Sequence, residues 1–128
     1  MAAPIERLKQ RSEFLRVAAA RRKWVTPGLI LQAARRPAAD AALQGFRVGY
    51  TASRKVGGSV ARNRARRRLR AAVAGVMADH AERGVDYVII ARRGTLDRRF
   101  TDLAADLETA CRRLATAQVG PRPARAPR

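Results

Sequence analysis

The segment from Phe46 to Arg70 constrains this chain more than any other. An alternating pattern, Phe46-Arg47-Val48-Gly49-Tyr50-Thr51-Ala52-Ser53, runs into Gly57-Gly58 and then into a helix whose first turns are mostly arginine. Alternation assigns Phe46, Val48, Tyr50 and Ala52 to one face of a strand and Arg47, Gly49, Thr51 and Ser53 to the other. The second face is small and polar, a surface that a ligand or another backbone can approach closely. Ser59 is placed to cap a long helix that reaches about Ala81. Ala65, Leu69, Ala72, Val73, Val76 and Met77 form its apolar stripe at helical spacing.

Six of the nine residues from Arg62 to Arg70 are arginine. On a helical projection Arg64, Arg67 and Arg68 lie away from the stripe, with Asn63 and Arg70 flanking them. Arg62 sits on the first turn, where backbone amides and the helix dipole also favour an anion. Guanidinium groups stay charged and match phosphate with a planar fork. Like charges three or four residues apart repel, so stability alone does not account for the cluster. The formal net charge is +18, and from Phe14 to Ala78 one acid, Asp40, stands against fifteen Lys or Arg. The last fifty residues hold seven acids and are closer to balance. A positive field concentrated in this way marks a nucleic-acid face. The ratio of 25 Arg to 3 Lys carries no such meaning, because a G- and C-rich genome produces it everywhere.

The remaining elements read more coarsely. Residues 1–10 are expected to be loosely ordered. Ser12 is expected to cap a short helix that turns Phe14, Leu15, Val17 and Ala18 to a core. Trp24-Val25-Thr26 reads as a strand stopped by Pro27-Gly28, and Leu29 to Ala33 as a buried strand. Arg36 to Gln44 reads as a loop. Gly84 ends the long-helix region. Val85 to Ala91 is a strand, and a last helix follows with Phe100, Leu103, Ala104, Leu107, Ala110, Cys111 and Leu114 on one face. The 128 residues fit a single nucleic-acid-binding domain over 1–118, with a disordered Pro/Arg tail over 119–128. The order of elements implies an α+β fold, an α/β sandwich built on one sheet.

Catalytic chemistry by the chain's own side chains is not indicated. The single histidine, His80, sits near a helix end with no carboxylate at an evident spacing. Cys111, the only cysteine, lies on an apolar stripe, which excludes an intrachain disulfide and a cysteine-based zinc site. Gly57-Gly58 lacks the Lys-Ser/Thr ending of a P-loop and the third glycine of a dinucleotide site. A sharp turn that lets RNA or DNA backbone approach fits better. No apolar run nears the ~18 residues of a membrane span. The amino terminus carries no apolar secretory stretch. The expectation is a cytoplasmic protein without membrane association.

The run Arg47-Val48-Gly49, then Ser53-Arg54-Lys55-Val56-Gly57, then Val60 and Arg62-Asn63-Arg64-x-Arg66-Arg67, resembles the signature of the bacterial ribonuclease P protein subunit. Arg7-Leu8, Glu13-Phe14, Val17 and Tyr87-Val88-Ile89-Ile90-Ala91-Arg92 fall in the family's order, so the resemblance spans about residues 5–115. It implies a single, mainly antiparallel four-stranded sheet with three helices in the order αβββαβα, and a left-handed βαβ crossover. It implies a subunit that binds a catalytic RNA and the 5′ leader of precursor tRNA, one protein per RNA, with no obligate protein oligomer. Magnesium ions would be held mainly by RNA and substrate, not by a protein site. Arg62, Asn63, Arg64, Arg66, Arg67, Arg68 and Arg70, with Gly57 and Gly58, inherit the contact with the catalytic RNA. Phe14, Thr51, Ser53, Arg54 and Lys55 inherit the leader cleft. Ala18 and Gln32 stand where the family often has cleft aromatics, so stacking on the leader would be weaker or moved to Trp24.

Two other classes share part of this pattern. A basic ribosomal or general RNA-packing protein would share the charge but needs no leader cleft. A helix-turn-helix DNA binder would need a helix, not a strand and a Gly-Gly turn, before the basic helix.

Overall fold

The computed structural model describes residues 5–36 and 45–119, with side chains through residue 115. The expected loop from Pro37 and the Pro/Arg tail beyond Val119 lie outside the described residues. In chain order the elements are β1 (Ile5–Arg7), α1 (Arg11–Ala19), β2 (Lys23–Val25), β3 (Leu29–Arg35), β4 (Phe46–Thr51), α2 (Ser59–His80), β5 (Val85–Ala91), α3 (Arg93–Asp97) and α4 (Phe100–Val119). The sheet order is β1-β4-β5-β3-β2.

The architecture is mixed α+β as expected, but richer by a strand and a helix. Five strands and four helices are present among the described residues, not four and three. The sheet is not mainly antiparallel either: β1–β4 and β4–β5 are parallel, while β5–β3 and β3–β2 are antiparallel. The added strand lies in the stretch expected to be loose. β1 has only three exposed residues and no alternation to announce it. It exists because the outer edge of β4 offers a ladder, extended by Leu8 N–H donating to the Val48 carbonyl at 3.1 Å. The added helix, α3, is a five-residue turn too short for periodicity to reveal.

The main core lies between the sheet and α2 with α4. Leu29, Leu31, Phe46, Val48, Val85 and Ile89 meet Ala65, Leu69, Val73 and Met77 of α2 and Leu103, Leu107 and Cys111 of α4. Phe46 and Tyr87 pack edge to face at 6.0 Å. Burying each large apolar side chain contributes about 1.5–3 kcal/mol, which offsets the repulsion among the arginines of α2. Phe100, expected on the buried face of α4, is instead 43% exposed at its first turn.

On the other face, α1 packs through Val17 and the half-buried Phe14 against Leu8, Ala34 and Val88. Leu15 and Ala18, expected in that contact, are exposed. Ser12 does not cap α1. The cap is Gln10, two residues earlier, and the Glu13 carboxylate accepts the Lys9 and Gln10 N–H groups at 3.1 Å each. Such reach-back from the third helical residue is one half of a capping box. In α2 the cap is one residue early, at Gly58 and not Ser59.

Candidate nucleic-acid interface

Three rows of side chains cross the α1 face of the sheet. Ala34, Asp86 and Arg47 form the first, Gln32, Val88 and Gly49 the second, and Ile30, Ile90 and Thr51 the third. Each row follows from register, since paired residues on neighbouring strands share a face.

The first row holds a buried charge cluster that sequence reasoning missed. Asp86 is fully buried and receives Arg47 Nε and Nη2 at 2.7 Å each, Arg36 Nε at 3.3 Å, and a short contact from Arg16 of α1. Arg47 Nη1 also donates to Glu13 at 3.0 Å. Burial alone would raise the Asp86 pKa, but hydrogen bonding and charge from Arg47 and Arg16 outweigh it and hold the carboxyl below its ordinary value. Glu13 is lowered too: burial raises it, while the Gln10 and Lys9 amides and Arg47 pull it down further. The available signal was a lone acid inside the apolar run of β5.

The second row seats Phe14. A Cβ on Gly49 would stand 2.6 Å from Phe14 Cζ, so the ring lies directly on the glycine backbone. Only glycine leaves that room.

Ile30 and Ile90 of the third row are half-buried and line a groove of about 760 Å³. Ile30 and Ile90 supply apolar floor, and Ser53, Lys55, Arg92 and Arg93 supply a polar, basic rim. Of the residues assigned to the cleft, Ser53 and Lys55 line this groove; Thr51 pairs with Ile90 and Phe14 lies on Gly49 in the neighbouring row, and neither is among the lining residues. Arg54 is exposed in the adjoining turn and is not among the lining residues.

Gly57, at φ +147, makes the turn from the groove rim into α2. The first turn of α2 carries no acid. Asn63, Arg64 and Arg67 are exposed, and Arg62 and Arg66 partly so; Arg66 Nη1 donates to Asn63 Oδ1 at 3.1 Å. Two of the seven helix residues assigned to RNA are engaged within the fold. The Arg70 guanidinium lies 5.8 Å from the centre of the Tyr50 ring. Arg68 donates Nε to the Thr95 carbonyl at 2.8 Å and Nη2 to the Arg98 carbonyl. The helical projection turned Arg68 to solvent because α3, which fills that side, was not foreseen.

Trp24 does not stand in for a cleft aromatic. It is the cross-strand partner of Leu31, on the α4 face, with the Arg113 guanidinium 5.4 Å from its ring centre. Gln32 is on the cleft face, beside Val88. His80 Nε2 lies 3.9 Å from Glu108 Oε2, so the last turn of α2 meets α4 there.

The Ribonuclease P family model matches residues 3–115. The chain belongs to the ribonuclease P protein family. It is 56% identical over 118 residues to the ribonuclease P protein component of Paramagnetospirillum magneticum, covering 92% of this chain and 89% of that one. Identity to the component of Gluconacetobacter diazotrophicus is 48% over 113 residues, covering 88% and 94%. The fold is that of solved ribonuclease P proteins. A mutant Staphylococcus aureus protein, described as defective in mRNA degradation, superposes with TM-score 0.71 at 21% identity, covering 85% of this chain and 87% of that one. The Thermotoga maritima protein gives 0.67 at 20% identity, covering 81% and 93%. Members are protein components of ribonuclease P, the endoribonuclease of tRNA 5′ maturation, and this chain is such a subunit. No helix among the described residues is long and apolar enough to cross a membrane.

Proposed function

We propose that the chain acts in the cytoplasm as one RNA-binding domain, holding the catalytic RNA of ribonuclease P on α2 and the 5′ leader of precursor tRNA in the groove. One protein serves each RNA, with no obligate protein oligomer. The observation that carries this reading is adjacency. Arg64 and Arg67, exposed, and Arg62 and Arg66, partly exposed, follow directly on the turn whose Lys55 lines the groove, and Arg93 Nε donates to the Lys55 carbonyl at 3.4 Å. An extended strand leaving the RNA-bound end of a tRNA would meet an apolar floor for its bases and a basic rim for its phosphates.

The crossover from β4 through α2 to β5 is left-handed in this reading. Chirality supports it: Val48 packs with α2 while its carbonyl accepts from Leu8, so β1 and β5 take fixed sides of β4.

Magnesium ions supply charge stabilisation and an activated water in such cleavage. Among the described residues no three His, Cys, Asp or Glu side chains gather into a ligand set. In this reading the ions are held by RNA and substrate, and this chain binds and orients.

The test is precursor-tRNA cleavage at low magnesium by a bacterial ribonuclease P RNA, alone and with this protein. Strong stimulation with release of the leader at the mature 5′ end is the expected result. Tight RNA binding without stimulation would remove the cleavage role. With these four arginines on phosphate, the log–log salt slope of RNA binding should be about −3 to −4. Arg64→Ala with Arg67→Ala should flatten it by about 1.5.

A further inference from the structure

Arg68 belongs by sequence to the arginine cluster, yet its fork is directed at the far side of the groove. Its two acceptors, the Thr95 and Arg98 carbonyls, lie at the carboxyl end of α3. Carbonyls at a helix end have no partner within the helix, and an arginine fork satisfies two of them at once. Thr95 is fully buried and pins the same turn to the β2–β3 hairpin. Its Oγ1 donates to the Gly28 carbonyl at 2.5 Å and accepts the Arg92 N–H at 2.9 Å. Arg92 Nη1 donates to the Thr26 carbonyl at 2.6 Å. Gly94 lies so close to the Pro27 carbonyl that a Cβ there would collide with it. Pro27, Arg92, Arg93 and Gly94 together make one wall of the groove.

We infer that Arg68 is a positioning residue that couples the RNA-binding helix to the leader groove, by fixing the α3 wall to α2. This rests on the assignment of leader to groove and catalytic RNA to α2. When the exposed arginines are held by RNA, the wall is held with them, so the groove keeps one orientation toward the bound RNA. The planar fork is required, because a single ammonium cannot serve both carbonyls in the same geometry.

The experiment uses ribonuclease P reconstituted from a bacterial ribonuclease P RNA and the full-length protein, with Arg68→Met and Arg68→Lys variants. The affinity of the protein for the RNA and its salt slope are measured. KM and kcat are then compared for precursor tRNA with a long leader and with a single-nucleotide leader. Arg68→Met should raise KM for the long-leader substrate roughly three- to tenfold, the size set by one or two lost hydrogen bonds. Its kcat, its short-leader KM, its RNA affinity and its salt slope should stay at wild-type values, and Arg68→Lys should recover part of the loss. Weaker RNA binding with a flatter slope would make Arg68 a phosphate contact and overturn the inference. Equal loss on both substrates would make it a general structural residue and also overturn it. If the wild type itself shows no leader dependence, the groove assignment fails and the coupling falls with it. Should Arg68→Met not fold, Arg68→Lys carries the same comparison.

Discussion

Arg47 and Asp86 face each other across the parallel β4–β5 ladder and close a two-point ion pair, Nε to Oδ1 and Nη2 to Oδ2, both at 2.7 Å. The pair lies under α1, where Arg16 joins the same carboxylate. Asp86 therefore fixes α1 to the sheet whose same face carries Ile30 and Ile90 of the groove. Removing one partner of a buried pair leaves the others uncompensated, so Asp86→Ala should lower stability by about 3–5 kcal/mol in urea denaturation. An unchanged midpoint would show the arginines to be solvated without it.

The same carboxyl sets an acid limb. Its folded pKa is lowered despite burial. Its contribution is therefore complete above the unfolded value of about 3.9 and is lost as pH falls through the folded value. Wild-type stability should fall along that limb, and Asp86→Asn should be flatter there. A variant limb parallel to wild type would place the linkage on other carboxylates, Glu13 first.

Gly49→Ala should push Phe14 off the sheet at a cost of about 1–3 kcal/mol, the usual range for overpacking. Phe14→Ala removes the obstacle, so the double variant should lose less than the sum of the two singles. Strict additivity would mean that the ring and the glycine do not touch in solution.

Trp24 is the only tryptophan and lies on the sheet face opposite the groove. Its emission should not respond to a leader oligonucleotide, and Trp24→Ala should keep the wild-type preference for leader-bearing substrate. A leader-dependent emission shift would move the binding face.

Burial pushes the Cys111 thiol up to about 12. Since the thiolate is the reactive form, iodoacetamide at neutral pH should label Cys111 only after unfolding. Labelling of the native protein at the rate of a free thiol would place Cys111 at the surface.

Legibility in the sequence followed the length and cleanliness of each pattern. The stripe of α2 held for Ala65, Leu69, Ala72, Val73 and Met77, because a long helix repeats its period many times. The two faces of β4 and the strand β5 were equally plain. Three-residue β1 and five-residue α3 carry no period, and they form because neighbours offer an edge and a hairpin to rest on. Faces were harder than elements. Trp24 and Gln32 sit on adjacent strands, and only the pairing of Trp24 with Leu31 decides which of them looks into the cleft. The exposed arginines of α2 were evident as charge. That Arg68 and Arg70 are committed within the fold depends on the placement of α3 and Tyr50, which no local pattern encodes.

The parallel pairing of β1 with β4 also sets an order of events. Ile5 registers against Phe46, and β4 in turn registers against β5 across the whole of α2. β1 leaves the ribosome before β4 and has no ladder until β4 has been made. Until β1 docks, the outer edge of β4 stays open to any passing strand. Synthesis runs from the amino terminus, but β1 can find its place only beside a strand made later than itself.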